Sequence, residues 1–134
     1  MGSYEHLFNK KTYEDEECIH FYQVQSNNTF QSIFTLDDRY ITVPEAEPYL
    51  IPESIFNRMI CIGKAYRLHY LSLFSLYENY ELNPTQIQSV IKELEFLMEI
   101  VNDILIEQYV IPLLKLLDGC ILGSKKQSLW ILGV

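Results

Sequence analysis

The sequence predicts an α+β fold, in which an N-terminal antiparallel β-meander packs on long C-terminal helices and a short terminal strand is added to the sheet. Residues 18–43 are rich in aromatic and β-branched side chains, which is typical of strands. Residues 83–118 repeat apolar side chains three and four positions apart, which is typical of amphipathic helices. A chain of 134 residues can bury one hydrophobic core, so we expect residues 1–134 to form a single domain.

The predicted meander has three strands, at residues 18–25, 29–36 and 39–43. Polar turn residues separate them at 26–28 and at Asp37-Asp38. Prolines then interrupt the pattern, and the segment 44–48 is expected to be an extended, exposed loop that carries Glu45 and Glu47.

A helix is expected to start at Pro52 and to present a wide apolar stripe as far as Gly63. For residues 64–80 we favour a helix, although the density of aromatic residues would also suit a strand. The next helix has the clearest start, because Asn83 is a good N-cap and Pro84 fits the first turn. Charged residues on the opposite side from its apolar stripe are expected to be solvated: Glu93, Glu95 and Glu99.

A second long helix is predicted from 104 to 118, with Asp103 as its cap. Pro112 lies inside it and should kink it, and Gly119 is the expected C-cap. After a basic turn at 123–127, residues 129–132 are the apolar run predicted to join the sheet.

The charge balance indicates which partners the chain can attract. Ten basic residues against 18 acidic ones give a net charge of −8. This argues against nucleic-acid binding and against anionic membranes, because both require clustered basic residues. An acidic surface instead favours a basic protein partner, unless the acidity serves only to keep the protein soluble.

Cysteine usage and the N-terminal sequence predict a cytoplasmic protein. The three cysteines are far apart and odd in number, so free thiols in a reducing compartment are expected. Residues 1–11 lack the apolar core of a signal peptide. Cys18 and His20 would share one face of a strand, as half of a metal site or a thiol–imidazole pair would require. The sequence contains no phosphate-binding loop and no G-x-S-x-G or H-E-x-x-H motif, so we predict neither an enzyme nor a cofactor.

Tyrosines next to acidic residues are the feature most typical of a binding surface. Ten of the 134 residues are tyrosine, and residues 77–81 interleave two tyrosines with two glutamates. Tyrosine offers a large, rigid contact area with a polar tip. The candidate partner-binding residues are Asp37, Asp38, Glu45, Glu47, Tyr77, Glu78, Tyr80 and Glu81. The alternative is that these tyrosines line the edge of the core and the acids are merely solvated.

The last fifty residues or so carry a family resemblance. It lies in Glu93-Leu94-Glu95-Phe96-Leu97, Asn102-Asp103, Leu113-Leu114-Lys115-Leu116-Leu117, Cys120 and Leu129-Trp130-Ile131-Leu132-Gly133. This part of the chain resembles small acidic immunity proteins of bacterial polymorphic-toxin and contact-dependent growth inhibition systems. The resemblance implies a cytoplasmic antidote that binds one toxin domain, often a basic nuclease, and it assigns no binding residue.

The leading functional hypothesis is therefore a non-enzymatic protein that binds and neutralises a cognate toxin domain. One alternative is a homo-oligomeric structural or regulatory interaction module, such as a homodimer that buries part of the apolar excess of residues 55–77. The other is a small enzyme or ligand carrier that uses Cys18 and His20.

Overall fold

The computed structural model describes residues 16–24, 30–34, 40–44, 46–122 and 127–134. In this part of the chain it contains six strands and four helices. In chain order they are β1 (Cys18–Val24), β2 (Phe30–Phe34), β3 (Tyr40–Pro44), β4 (Tyr49–Pro52), α1 (Glu53–Ala65), α2 (His69–Leu73), β5 (Tyr80–Leu82), α3 (Pro84–Ile100), α4 (Ile104–Ile121) and β6 (Ser128–Leu132).

The main sheet has four antiparallel strands in the order β4-β1-β6-β5. Phe21 of β1 pairs with Tyr49 of β4 on one side and with Ile131 of β6 on the other. Ile131 in turn pairs with Tyr80 of β5. The predicted α+β class is confirmed, and the terminal strand occupies a central position in the sheet.

The pairing of the N-terminal strands differs from the predicted meander. Strands β2 and β3 form a separate two-stranded sheet, in which Phe30 pairs with Pro44 and Phe34 with Tyr40. They do not extend β1, because β4 and β6 already occupy its two edges. Strands β4 and β5 were not predicted, since they span only 4 and 3 residues and show no alternating pattern of their own.

The two faces of the sheet are covered differently. Ile19 and Phe21 of β1 point towards the helices and are buried in the main core. Tyr22 and Val24 are buried on the opposite face, in a smaller cluster with Val43 of β3. Strand β3 therefore contacts, through Val43, the face of the sheet opposite to the helices.

The predicted start of α3 is confirmed in detail. The Asn83 side chain accepts a hydrogen bond from the Gln86 N–H at 2.9 Å, and the Gln86 side chain accepts one from the Asn83 N–H at the same distance. Asp103 caps α4 by accepting from the Leu105 N–H at 3.0 Å. None of the described helices is long and apolar enough to cross a membrane.

Two helix boundaries differ from the predictions. Gly119 lies inside α4 rather than at its C-cap, and the helix continues to Ile121. The Gly119 carbonyl accepts a hydrogen bond from the Gln23 side chain of β1 at 3.3 Å, which links strand and helix at this position. Within residues 64–80, only the last two residues of α1 and the five residues of α2 are helical, and β5 begins at Tyr80. Most of the predicted basic turn, residues 123–126, lies outside the described residues.

Candidate protein-binding surface

The connection from α2 into the first two residues of β5 presents four of the predicted binding residues together. Tyr77 has 70% of its surface exposed, and Glu78 and Glu81 are exposed on either side of Tyr80. Tyr80 itself is half-buried. We call residues 74–81 the tyrosine loop.

Tyr80 holds the tyrosine loop to the core. Its ring packs edge-on against Phe74, with the ring centroids 5.0 Å apart. Its hydroxyl accepts a hydrogen bond from the Ser75 N–H at 2.7 Å and donates one to Glu78 Oε2 at 3.3 Å. Burial raises the pKa of Tyr80, and the Glu78 carboxylate adds to this increase, so the phenol stays protonated as a donor. Tyr80 thus positions the loop, while Tyr77 is free to contact a partner.

Two residues that follow β6 fix the other side of the tyrosine loop. The Gly133 N–H donates to Asn79 Oδ1 at 3.0 Å, and the Val134 N–H donates to the Leu76 carbonyl at 2.7 Å. A Cβ at position 133 would lie 2.5 Å from the Leu76 carbonyl oxygen and 2.7 Å from that of Glu78. Only glycine fits this close approach of two backbones. Asn79 and Gly133 were not predicted, because nothing in the local sequence shows that two residues 54 positions apart meet.

Glu47 is the one remaining predicted residue that the structure describes, and it does not join this surface. Glu47 is exposed just before β4, at the opposite edge of the sheet from the tyrosine loop. Tyr49 and Tyr80 end the same row of paired residues, and the three strand spacings between them amount to about 14 Å. Asp37, Asp38 and Glu45 lie outside the described residues.

Cys18 and His20 lie on one face of β1, as predicted, but their surroundings do not activate them. The Cys18 thiol donates to the Glu16 carbonyl at 3.6 Å, and burial together with the Glu16 carboxylate raises its pKa. A catalytic thiol needs a lowered pKa. The His20 ring stacks on Tyr22 at 6.4 Å, and burial lowers its pKa. Within the described residues, no group of three or more His, Cys, Asp and Glu side chains could hold a metal ion.

The prediction that Glu93 is solvated on the outer side of α3 is wrong. It is half-buried, and its carboxylate accepts hydrogen bonds from the Tyr70 and Leu71 N–H groups at the start of α2. Glu95 and Glu99 are exposed, as expected. These three acidic residues of α3 therefore differ in role, because Glu93 is hydrogen-bonded to α2, the helix that precedes the tyrosine loop.

The geometry of the tyrosine loop suits recognition of another protein. An exposed aromatic side chain stands between a half-buried anchor and acidic neighbours, on a backbone fixed at both sides. Aromatic side chains on a restrained backbone contribute most of their binding energy to a protein–protein interface when they enter a pocket on the partner. None of the family models, curated proteins or solved structures compared with this chain matches it.

Proposed function

We propose that this protein is a non-enzymatic binding protein that neutralises a cognate, basic toxin domain, as cytoplasmic immunity proteins do. The observation that carries the proposal is the exposed Tyr77, on a hydrogen-bonded loop and beside acidic Glu78, in a chain of net charge −8. The resemblance of the last fifty residues to immunity proteins supports the same class of function.

Pre-organisation of the tyrosine loop favours binding, because the entropy of ordering the loop has already been lost on folding. Hydrogen bonds to Ser75, Leu76 and Asn79 restrain its backbone before any partner arrives. The acidic field adds a second effect, since it speeds the encounter with a basic surface at low ionic strength. Binding should therefore weaken mainly through slower association as salt is added.

The test starts with a pull-down from the native host, followed by mass spectrometry and co-expression of the captured toxin domain with this chain. We expect the chain to protect cells. The Tyr77→Ala variant should bind the toxin at least about 30-fold more weakly, the effect of losing a hot-spot aromatic side chain. Tyr66→Ala is the matched control, because Tyr66 is also exposed but lies against Phe96, away from the tyrosine loop.

Two results would contradict the proposal. The first is failure of the wild-type chain to protect cells from the captured domain. The second is an equal loss of affinity in the Tyr77 and Tyr66 variants, since the tyrosine loop would then not be the contact surface.

A further inference from the structure

The outward face of α4 is unusually apolar for a solvent-facing helix surface. Six exposed positions, five on α4 and one at its C-cap residue, recur at spacings of four and three residues, with the exposed Pro112 beside them: Ile104, Gln108, Ile111, Lys115, Asp118 and Leu122. Three of them are large aliphatic residues, and Ile104, Ile111 and Leu122 are 69%, 44% and 80% exposed. An amphipathic helix normally places polar residues there. We call these six positions the α4 seam.

The seam is separate from the hydrophobic core, because α4 buries a different face of the helix in that core. Ile106, Val110, Leu113 and Leu117 fill that face, opposite to the seam. Within residues 55–77, which a homodimer was expected to use, the apolar side chains of residues 55–60 are buried in the same core, and the large apolar side chains that remain exposed are Tyr66, Leu73 and Tyr77. If the chain associates with itself through an aliphatic surface, the seam is the best candidate among the described residues.

We propose that α4 pairs antiparallel with α4 of a second copy of this chain, through the seam and across a two-fold axis. Alternating spacings of three and four residues are those of a coiled-coil seam. A two-fold interface must also be self-complementary, because the same surface supplies both sides.

The seam meets this requirement in the antiparallel direction. Ile104 faces Leu122 of the second copy, so the two most exposed aliphatic side chains cover each other at both ends. Between these ends, the Gln108 amide faces the Asp118 carboxylate as a hydrogen-bond donor. At the centre, Ile111 packs against the aliphatic stem of Lys115, whose ammonium group reaches solvent.

Charge also favours the seam over other helix faces. Two copies of a chain of net charge −8 repel each other, so they should meet where the local charge is balanced. The seam carries one base and one acid, Lys115 and Asp118. The exposed face of α3 instead carries Glu95 and Glu99 with Lys92, and two copies would oppose like charges there.

The size of the contact predicts a weak dimer. An 18-residue helix is about 27 Å long and about 10–12 Å wide, so one helix pair stays below the roughly 1,200 Å² of a standard interface. The dimer should therefore appear at high concentration and dissociate on dilution.

Sedimentation velocity of the full chain between about 5 and 500 µM tests the proposal. We expect the wild-type chain to sediment faster as its concentration rises. Ile104→Glu and Ile111→Glu should each weaken the dimer about 100-fold, because each change places a charge in the contact twice. Leu73→Glu is the matched control, since Leu73 is 59% exposed but lies on α2, outside the seam. Circular dichroism checks that each variant is folded, and either isoleucine variant suffices for the test.

The double variant Ile104→Glu/Leu122→Lys tests the antiparallel register. It places opposite charges against each other at both ends, so it should recover most of the association that Ile104→Glu alone loses. Lack of recovery would overturn the register. A strict monomer up to about 500 µM, or equal effects of Ile104→Glu and Leu73→Glu, would overturn the proposal as a whole.

Discussion

Replacement of Glu93 by alanine should lower the stability of the whole domain, although Glu93 lies on a helix face that the sequence marks as solvated. One carboxylate oxygen accepts from the Tyr70 N–H at 3.1 Å and from the Leu71 N–H at 2.9 Å, and the other accepts from the Tyr70 N–H at 3.0 Å. These N–H groups begin α2, and its N-cap residue, Leu68, has no side chain able to accept them. Glu93 thus supplies the cap of α2 from a different helix.

The size of the effect follows from the number and kind of bonds lost. Loss of an ordinary N-cap costs about 0.5–2 kcal/mol, and hydrogen bonds to a charged group contribute about 1.5–3 kcal/mol each. Water can replace part of this interaction because Glu93 is only half-buried, so we expect a loss of about 2 kcal/mol in the free energy of unfolding. For a domain of this length, that corresponds to a decrease of roughly 6–10 °C in Tm.

Thermal and urea denaturation of matched variants measure this loss. Glu93→Gln keeps an acceptor oxygen and should lose about half as much stability as Glu93→Ala. Glu95→Ala is the control, because Glu95 is exposed on the same helix and should change stability by no more than about 0.5 kcal/mol. Equal midpoints for the Glu93 and Glu95 alanine variants would refute the capping role.

Two further predictions concern packing and pH. Gly63→Ala should destabilise the domain by about 1–3 kcal/mol in urea denaturation, because the added Cβ would lie 2.5 Å from Leu71 Cβ. Gly119→Ala is the comparison variant: its Cβ would meet only the flexible Gln23 side chain at 3.4 Å, so this change should be neutral or slightly stabilising. Burial raises the pKa of the Cys120 thiol from 9.0 to about 11, so the unfolded chain loses this proton at lower pH than the folded one. The contribution of the protonated Cys120 thiol to the free energy of unfolding is therefore complete below pH 9 and falls by about 2–3 kcal/mol as the pH rises to 11. Urea midpoints measured across this range should decline less steeply for Cys120→Ala than for the wild type.

The elements that the sequence predicted well are those specified by neighbouring residues. Helix α3 begins at Asn83 because its cap and its capping box lie within four residues of each other. Helix α4 begins after Asp103 for the same reason. Strand β6 is a continuous apolar run, and its central place in the sheet explains why both of its faces are covered.

The features that were missed depend on contacts between distant residues. His20 of β1 pairs with Leu132 of β6, and no local pattern identifies that partner. The short strands β4 and β5 exist because longer neighbours supply their hydrogen bonds. The same limit applies to the candidate site. Tyr77 and Tyr80 look alike in the sequence, but only Tyr80 contacts Phe74, and only Tyr77 projects into solvent.

The tyrosine loop and the α4 seam can act independently because the fold separates them. Helix α4 packs on β1 and β6, and the Tyr49 hydroxyl of β4 donates to the Tyr109 carbonyl of α4 at 2.7 Å. The tyrosine loop leads into β5, at the other edge of the sheet. A dimer formed through the seam would therefore leave both copies of the loop accessible, and a monomeric Ile104→Glu variant should still neutralise the toxin domain. Loss of protection in Tyr77→Ala with intact dimers, and loss of dimers in Ile104→Glu with intact protection, would distinguish the two surfaces.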